Sequence, residues 1–241
     1  MKSREKLKLS PQDAQNAVAL AQVNEQLNSL PPLEILQWAV GQYPQGLVHA
    51  SSFGAEDMVI IDMLTQLTPH PGVFYLDTNL LFAETYNLIE EVQQRYGFAP
   101  IRVLPELTVQ EQELQYGPAL WARDPDQCCY LRKVAPLKRF LADKSAWITG
   151  IRRDQTPARR NAPLVGWDES QGLPKINPLA AWTQKDVFRY LVHNQVPYNP
   201  LHDQGYPSIG CVPCTKPINA GEDARSGRWA GQEKTECGLH L

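Results

Sequence analysis

The sequence of 241 residues contains neither a long apolar run nor an excess of positive charge. No stretch approaches the ~20 consecutive apolar residues that a helix needs to cross a bilayer, so no membrane partner is expected. The 23 lysines and arginines are outnumbered by 26 aspartates and glutamates, and the net charge of -3 disfavours nonspecific nucleic-acid binding. The N-terminal MKSREKLKLS is followed by polar residues and not by the apolar core of a signal peptide, which predicts a cytoplasmic protein.

Cysteine is also scarce, with five residues in the chain. In a reducing compartment, five cysteines indicate metal ligands or reactive thiols and not a disulfide framework. Internal repeats and low-complexity tracts are absent from the sequence. The hydrophobic content of 43% and charged content of 20% are typical of a folded globular protein that can bury a sizeable core.

Apolar runs and amphipathic segments alternate along the chain. Residues 11–42 are predicted to be helical with a break at Pro31-Pro32. Strands are predicted in the apolar run that opens GLVHASSFGAED (46–57) and at 72–78, 100–105 and 145–151, with helices at 55–67, 82–97, 129–142 and 183–195. Residues 152–181 are expected to form a loop around one short strand. This alternation predicts βαβ units and an α/β fold with a mostly parallel sheet flanked by helices.

Two small polar loops follow the first two predicted strands. In SSFGAED (51–57), Ser51 and Ser52 offer hydroxyls, Gly54 permits close backbone approach, and the next helix presents free N–H groups to an anion. The motif is not a Walker loop, because no Gly-Lys-Ser/Thr follows. LDTN (76–79) ends the next strand, where ligands of open α/β sheets bind. The pair predicts a nucleotide cleft, and a simple helix cap is the alternative for the first loop.

Arginines cluster in two further segments. RRDQTPARR (152–160) follows the fourth predicted strand, and EDARSGRW contains Arg225 and Arg228. Guanidinium groups bind phosphate and sulfate in bidentate fashion. Anion binding is therefore predicted, with a solvated basic face as the alternative.

Four cysteines form two close pairs, the adjacent Cys128 and Cys129 and the CVPC pair of Cys211 and Cys214. A redox CxxC normally opens a helix behind a strand, whereas Pro213 interrupts this one. One zinc ion requires four thiolates to converge, which is awkward for adjacent cysteines, whereas a [4Fe–4S] cluster offers separated irons. The pattern favours the cluster and leaves zinc open. Lys133 would lie one helical turn after Cys129, where it could balance cluster charge, contact an anion or remain a surface lysine.

Six motifs carry a family resemblance that extends from about Leu47 to Leu241: SSFGAED, LDTNLLFAETY, CCYLRKV, GIRRDQTPARR, CVPC and the terminal ECGLH. The chain resembles the adenylyl-sulfate (APS) reductases, the cluster-bearing branch of the phosphoadenylyl-sulfate (PAPS) reductase family. The resemblance implies an adenine-nucleotide α-hydrolase (PP-loop) fold with a mobile C-terminal tail. The whole chain is expected to form one α/β domain over 1–241, with N-terminal helices (1–42), a nucleotide-binding core (43–200) and a CxxC loop with the catalytic tail (201–241).

The same resemblance implies reduction of APS to sulfite and AMP, with thioredoxin or glutaredoxin as electron donor. Cys237 is then the nucleophile that carries an S-sulfonate, Lys133 lies between cluster and substrate, and His240 assists or docks the tail. Cys128, Cys129, Cys211 and Cys214 would hold the [4Fe–4S] cluster. The implied substrate-binding residues are Ser51, Ser52, Gly54, Asp57, Leu76, Thr78, Arg152, Arg153, Arg225 and Arg228. A homo-oligomer is expected.

Three other functions remain open from the sequence. The nearest is reduction of PAPS, alone or alongside APS, which would require a cationic pocket for the 3′-phosphate. A PP-loop transferase that adenylates its substrate is more remote, because the SGGxDS form is absent from the sequence. A non-catalytic zinc-binding module is the third.

Overall fold

The computed structural model describes Leu9, residues 13–232, Lys234 and residues 236–239. Its strands are β1 (Leu47–Ala50), β2 (Val73–Leu76), β3 (Ile101–Val103), β4 (Ala146–Ile148), β5 (Val165–Asp168) and β6 (Leu173–Ile176). They form a six-stranded sheet in the order β3-β2-β1-β4-β6-β5. The pairs β2/β3, β1/β4 and β4/β6 are parallel, and β5/β6 is antiparallel. The predicted α/β class with a mostly parallel sheet flanked by helices is confirmed.

Most of the α-helices lie close to the predicted segments, and those at 109–116 and 120–123 have no predicted counterpart. The helices are α1 (Ala17–Leu27), α2 (Pro32–Gln42), α3 (Ala55–Leu67), α4 (Ala83–Tyr96), α5 (Val109–Tyr116), α6 (Leu120–Arg123), α7 (Pro125–Cys129), α8 (Ala135–Leu141) and α9 (Gln184–His193). Gly97 ends α4 in the left-handed conformation with φ 71°, and Thr183 caps α9 through a capping box with Asp186. Within the described residues, no helix is both long and apolar enough to cross a bilayer.

Three segments differ from their predictions. The expected loop with one strand at 152–181 contains two strands, because β5 and β6 pair as an antiparallel hairpin. The helix expected at 129–142 is interrupted by a π-helical turn at Tyr130–Val134, between α7 and α8. Helix α5 was not predicted, although Thr108 and Glu111 form a capping box at its N-terminus.

The described chain divides into two compact units. The first comprises Leu9 and residues 13–50, 56–73 and 143–196. Strand β4 is buried along its whole length in this unit and pairs in parallel with β1 on one side and β6 on the other. Apolar side chains of α9, such as Val187 and Leu191, add to the buried core. Such strands, buried on both faces, are typical of parallel sheets covered by helices.

The second unit comprises residues 51–55, 74–142 and 197–232, together with Lys234 and 236–239. It contains most of β2, all of β3, and helices α4 to α8. Phe74 pairs with Ile101 in the parallel β2/β3 ladder. This unit also holds all five cysteines, so the two cysteine pairs and Cys237 belong to one compact body.

Candidate functional site

The four paired cysteines line a single pocket in the second unit, named here the cysteine pocket. Cys128, Cys129 and Cys211 are buried, and Cys214 is partly exposed. The pocket is lined by Leu80, Trp121, Pro125, Cys128, Cys129, Arg132, Lys133, Cys211, Cys214 and Trp229. Sequence-distant cysteine pairs are thus brought together, as the spacing predicted.

The π turn at Tyr130–Val134 carries Arg132 and Lys133 into the same pocket. Its hydrogen bond runs from the Ala135 N–H to the Tyr130 carbonyl, five residues apart and not four as in an α-helix. Cys129 and Lys133 therefore share the pocket, as expected, although the turn between them is wider than predicted. π turns occur frequently at functional sites, and this one adds two cations, Arg132 and Lys133, to the pocket that the four cysteines line.

Arg132 is a buried cation that donates hydrogen bonds to three segments of this unit. The sequence analysis did not predict this role. It is only 2% exposed. Its Nε donates to the Thr78 carbonyl at 2.6 Å, and its Nη2 donates to Asn79 Oδ1 at 3.1 Å. Its Nη1 donates to Gln112 Oε1 at 3.1 Å and to the Leu107 carbonyl at 3.3 Å. The basic dipeptide directly after CCYL was the signal that could have identified it.

The loop after β2 reaches the cysteine pocket through Thr78. The Thr78 hydroxyl lies 3.3 Å from Cys211 Sγ, and it also accepts a hydrogen bond from the Leu80 N–H. Cys211 forms an antiparallel bridge with Leu81, next to a hydrogen bond from the Val212 N–H to the Leu80 carbonyl. Thr78, predicted to bind substrate, thus contacts a predicted cluster ligand. Leu76, the last residue of β2, precedes this loop and is half-buried.

Burial sets the acid–base behaviour of the pocket. It raises the pKa of the Cys128 and Cys214 thiols to about 11, reinforced by the neighbouring thiols. Burial also raises the pKa of Cys129, while Lys133 and Lys234 counteract it. For Lys133, burial disfavours the ammonium, but the nearby Cys211 and Cys237 outweigh burial and raise its pKa. The protonated form of Lys133 is therefore favoured in the lining of the cysteine pocket.

Arg225 and Arg228 form a second cationic group, around Trp229. The Arg228 guanidinium lies 4.5 Å from the Trp229 ring centroid, and the Arg225 guanidinium lies 6.0 Å from it. Both arginines donate to Ser208 Oγ, at 3.3 and 3.4 Å. Trp229 in turn donates its backbone N–H to the Cys214 carbonyl at 3.1 Å. Trp229 thus connects the two predicted anion-binding arginines to the CVPC loop.

The residues around Cys237 are held by two ion pairs. Arg225 Nη2 lies 3.2 Å from Glu236 Oε2, and Lys234 pairs with Asp126 at the start of α7. Gly238, with φ 79°, lies against the π turn: a Cβ there would be 3.6 Å from Val134 Cγ2. His240, predicted to assist the reaction or dock the tail, lies outside the described residues. Cys237 is half-buried beside the cationic Lys133.

The SSFG loop has an unusual backbone conformation. Ser51 is buried, and its Oγ accepts a hydrogen bond from the Phe53 N–H at 3.0 Å. The left-handed residue of the loop is Phe53, with φ 57°, and not Gly54. The Phe53 ring is buried edge-on against Tyr75 at 5.6 Å. Ser52 is exposed and Gly54 half-buried, so both remain accessible at the loop surface.

Three predicted substrate-binding residues belong to the first unit. Asp57 is buried, with Oδ1 3.6 Å from Nε2 of His49. Arg152 is buried and forms ion pairs with Glu56, at 2.8 Å, and with Asp154.

The third of them, Arg153, donates Nε to the Ala162 carbonyl at 2.8 Å. Arg152 and Arg153 are therefore held by local hydrogen bonds and ion pairs, whereas Arg160, at the end of the arginine run, is exposed.

The donor set of the cysteine pocket fits an iron–sulfur cluster. A tetrahedral zinc ion needs its donors to converge on one point. Among the described side chains, no group of three or more His, Cys, Asp or Glu residues converges in this way on a single metal ion. The four thiols nevertheless share one pocket with Lys133 and Arg132. Separate thiolate attachment points and adjacent cations suit a cluster with spaced irons.

Comparison with known proteins identifies relatives over nearly the whole chain. The family model described as "Phosphoadenosine phosphosulfate reductase domain" matches residues 46–217. "Adenosine 5'-phosphosulfate reductase" of Salinibacter ruber is 48% identical over 226 residues, which cover 93% of this chain and 90% of the relative. "Adenosine 5'-phosphosulfate reductase 1" of Bacillus subtilis is 51% identical over 209 residues, covering 86% and 90%.

A solved structure gives the same result. The phosphate complex of phosphoadenylyl-sulfate (PAPS) reductase from Candida auris superposes with a TM-score of 0.73 at 32% identity, covering 83% of this chain and 98% of that one. The family model alone spans more than half of the chain. The resemblance drawn from the motifs is thereby confirmed, and the chain belongs to the phosphoadenosine phosphosulfate reductase domain family.

Proposed function

We propose that this protein reduces adenylyl sulfate to sulfite and AMP, with thioredoxin or glutaredoxin as the thiol donor. The observation that carries the proposal is that Gly238, the neighbour of Cys237, lies against Val134 of the π turn, which also places Lys133 in the cysteine pocket. A reactive thiol, a buried cation and the cysteine pocket are thus neighbours within one unit. The names of the relatives at 48% and 51% identity support the same substrate.

Positive charge around Cys237 suits the first chemical step. The sulfur of a phosphosulfate is shielded by anionic oxygens, so an attacking thiolate needs nearby cations. Lys133 supplies one, and Arg225 and Arg228 supply two more on the same unit. The Cys237 thiolate attacks this sulfur, the bond between sulfur and the phosphate oxygen breaks, and AMP leaves with the electron pair. Cys237 then carries an S-sulfonate.

The second step returns the thiol. A thiolate of the reduced donor attacks Cys237 Sγ and releases sulfite, and a mixed disulfide forms. The second donor thiol resolves it, which regenerates Cys237 and leaves the donor oxidised by two electrons. The two steps need different access to one sulfur, and we expect the C-terminal segment to move between them. A reducing cytoplasm would keep the donor available.

A [4Fe–4S] cluster held by Cys128, Cys129, Cys211 and Cys214 completes the proposed site. When bound, it would brace the loops that carry these cysteines and place a fixed charge near Lys133. Arg132 and Trp229 also line this pocket, and the Thr78 hydroxyl contacts Cys211. In this proposal, both electrons come from the dithiol donor.

PAPS reduction is the second candidate, because the Candida auris relative bears that name at 32% identity. The 48% and 51% identities to proteins named for adenosine 5'-phosphosulfate favour APS. The test is an anaerobic assay with reduced thioredoxin and either APS, PAPS or ATP. We expect equal amounts of sulfite and AMP from APS and far slower turnover of PAPS. Comparable rates with PAPS would indicate dual specificity, and AMP released from ATP without sulfite would overturn the proposal.

A further inference from the structure

The side chain of Gln112, on α5, has a fixed orientation. It is fully buried, at 0% exposure. Its Oε1 accepts a hydrogen bond from Arg132 Nη1 at 3.1 Å. A guanidinium carries only donors, so this bond identifies which end of the amide is oxygen. The Nε2 group must therefore donate in another direction.

No hydrogen-bond partner for Gln112 Nε2 is found among the described residues. Arg132, which donates to the Gln112 oxygen, lines the cysteine pocket together with Cys128, so the amide lies at the edge of that pocket. Buried N–H groups without an acceptor are rare in proteins because each is costly to desolvate. An acceptor is therefore expected in the pocket that Cys128 lines.

We propose that the Nε2 N–H of Gln112 donates a hydrogen bond to sulfur at the Cys128 corner of the iron–sulfur cluster. Gln112 is then a positioning residue for the cluster, and Arg132 holds its amide in the donating orientation. The inference rests on the proposed function, because it requires the cluster. Hydrogen bonds to cluster sulfurs draw charge from them, and outer partners of this kind tune metal centres and their retention.

The structure supplies matched variants. Gln112→Leu removes the donor. Gln112→Glu also removes the donor but keeps an oxygen that can accept the hydrogen bond from Arg132. It therefore distinguishes loss of the N–H···S bond from loss of the hydrogen bond to Arg132. Gln115 lies on the same helix and is exposed, so Gln115→Leu is the control.

The test uses the anaerobically purified full chain with its bound iron. Resonance Raman spectra of the iron–sulfur stretching bands are recorded in H2O and D2O, and iron release to a chelator is timed. For Gln112→Leu and Gln112→Glu we expect shifted iron–cysteine bands, a smaller D2O effect and iron release faster on the order of tenfold. Gln115→Leu should match the wild type.

The experiment distinguishes failure of the inferred hydrogen bond from failure of the proposed cluster. If both Gln112 variants keep the wild-type bands and D2O effect, the inferred hydrogen bond from Gln112 to sulfur does not exist, and the proposed cluster is unaffected by this result. If the wild-type protein contains no iron, the proposed cluster itself fails. If Gln112→Leu does not fold, Gln112→Glu carries the test, and a wild-type D2O effect in that variant overturns the inference.

Discussion

The Arg225 guanidinium donates to the Glu236 carboxylate across 3.2 Å, immediately before Cys237 in the sequence. Both side chains are largely buried, at 17% and 8% exposure. An arginine proposed to bind the substrate anion is therefore paired with a carboxylate of the segment that carries the nucleophile. The substrate and Glu236 are expected to compete for Arg225.

Glu236→Gln should loosen the segment and favour substrate binding. Without the pair, Cys237 should react with iodoacetamide faster on the order of fivefold, the range for a weak to moderate ion pair. The KM for APS should fall, because the competing carboxylate is gone. Peptide mass spectrometry without substrate and steady-state kinetics with APS provide the two measurements.

Two control variants separate these effects. Glu222→Gln changes an exposed carboxylate that contacts Asn219 and should leave both quantities unchanged. Asp126→Asn breaks the Lys234 pair and should raise alkylation without lowering KM. An unchanged alkylation rate in Glu236→Gln would show that the pair does not hold Cys237.

The five cysteines should fall into two functional groups. Cys128→Ser and Cys211→Ser should lose bound iron, visible absorbance and activity together, because a cluster needs its thiolate ligands. Cys237→Ser should keep full iron and colour but lose turnover. Iron content and absorbance spectra of anaerobic preparations measure the difference. A colourless wild-type protein with one bound zinc would contradict this grouping.

Arg132→Lys should destabilise the protein more than an ordinary conservative change. Lysine keeps the charge but cannot reproduce hydrogen bonds to Thr78, Asn79 and Gln112 together. Leaving buried acceptors unpaired should cost about 2–4 kcal/mol in the free energy of unfolding. Denaturant unfolding measures it, with Arg139→Lys as the exposed control. Equal stability of the two variants would refute the assigned role of Arg132.

The buried His49 predicts acid sensitivity of the first unit. Burial lowers its pKa from 6.5 to about 4, while its Nδ1 faces the Ile148 carbonyl at 3.2 Å. The folded state thus binds fewer protons than the unfolded state, so stability is lost as pH falls from 6.5 toward 4. The loss attributable to His49 should reach roughly 3 kcal/mol at pH 4.

His49→Gln should remove this part of the acid sensitivity, whereas His193→Gln, at an exposed position of α9, should not. Denaturant unfolding at pH 7 and pH 4.5 compares the three proteins. If wild type and His49→Gln lose the same stability on acidification, His49 is not the responsible group.

Local signals predicted most of the fold. Pro31-Pro32 separates α1 from α2, Gly97 ends α4 and Thr183 caps α9, because each of these residues acts on its own backbone neighbours. The π turn at Tyr130–Val134 had no such signal. Its backbone hydrogen bond spans five residues instead of four, and this change leaves the apolar pattern of the sequence intact. The TVQE sequence at 108–111 is a local signal for the start of α5, because Thr108 and Glu111 form its capping box.

The sequence predicted which residues belong to the candidate site better than it predicted the contacts between them. The cysteine pairs and Lys133 were identified from spacing and motif. Gln112 and Glu236 act through partners more than ten residues away in sequence, so no local pattern could identify them. Phe53, and not Gly54, adopts the left-handed conformation because its buried ring compensates for the backbone cost.

The most direct measurement is anaerobic incubation of the protein with APS in the absence of any thiol donor, followed by peptide mass spectrometry. The account predicts one added SO3 group on the peptide that contains Cys237, with one AMP released per enzyme and no modification in Cys237→Ser. Later addition of reduced thioredoxin should remove the group as sulfite. Sulfite formation at the wild-type rate by Cys237→Ser, or an SO3 group on another cysteine, would contradict it.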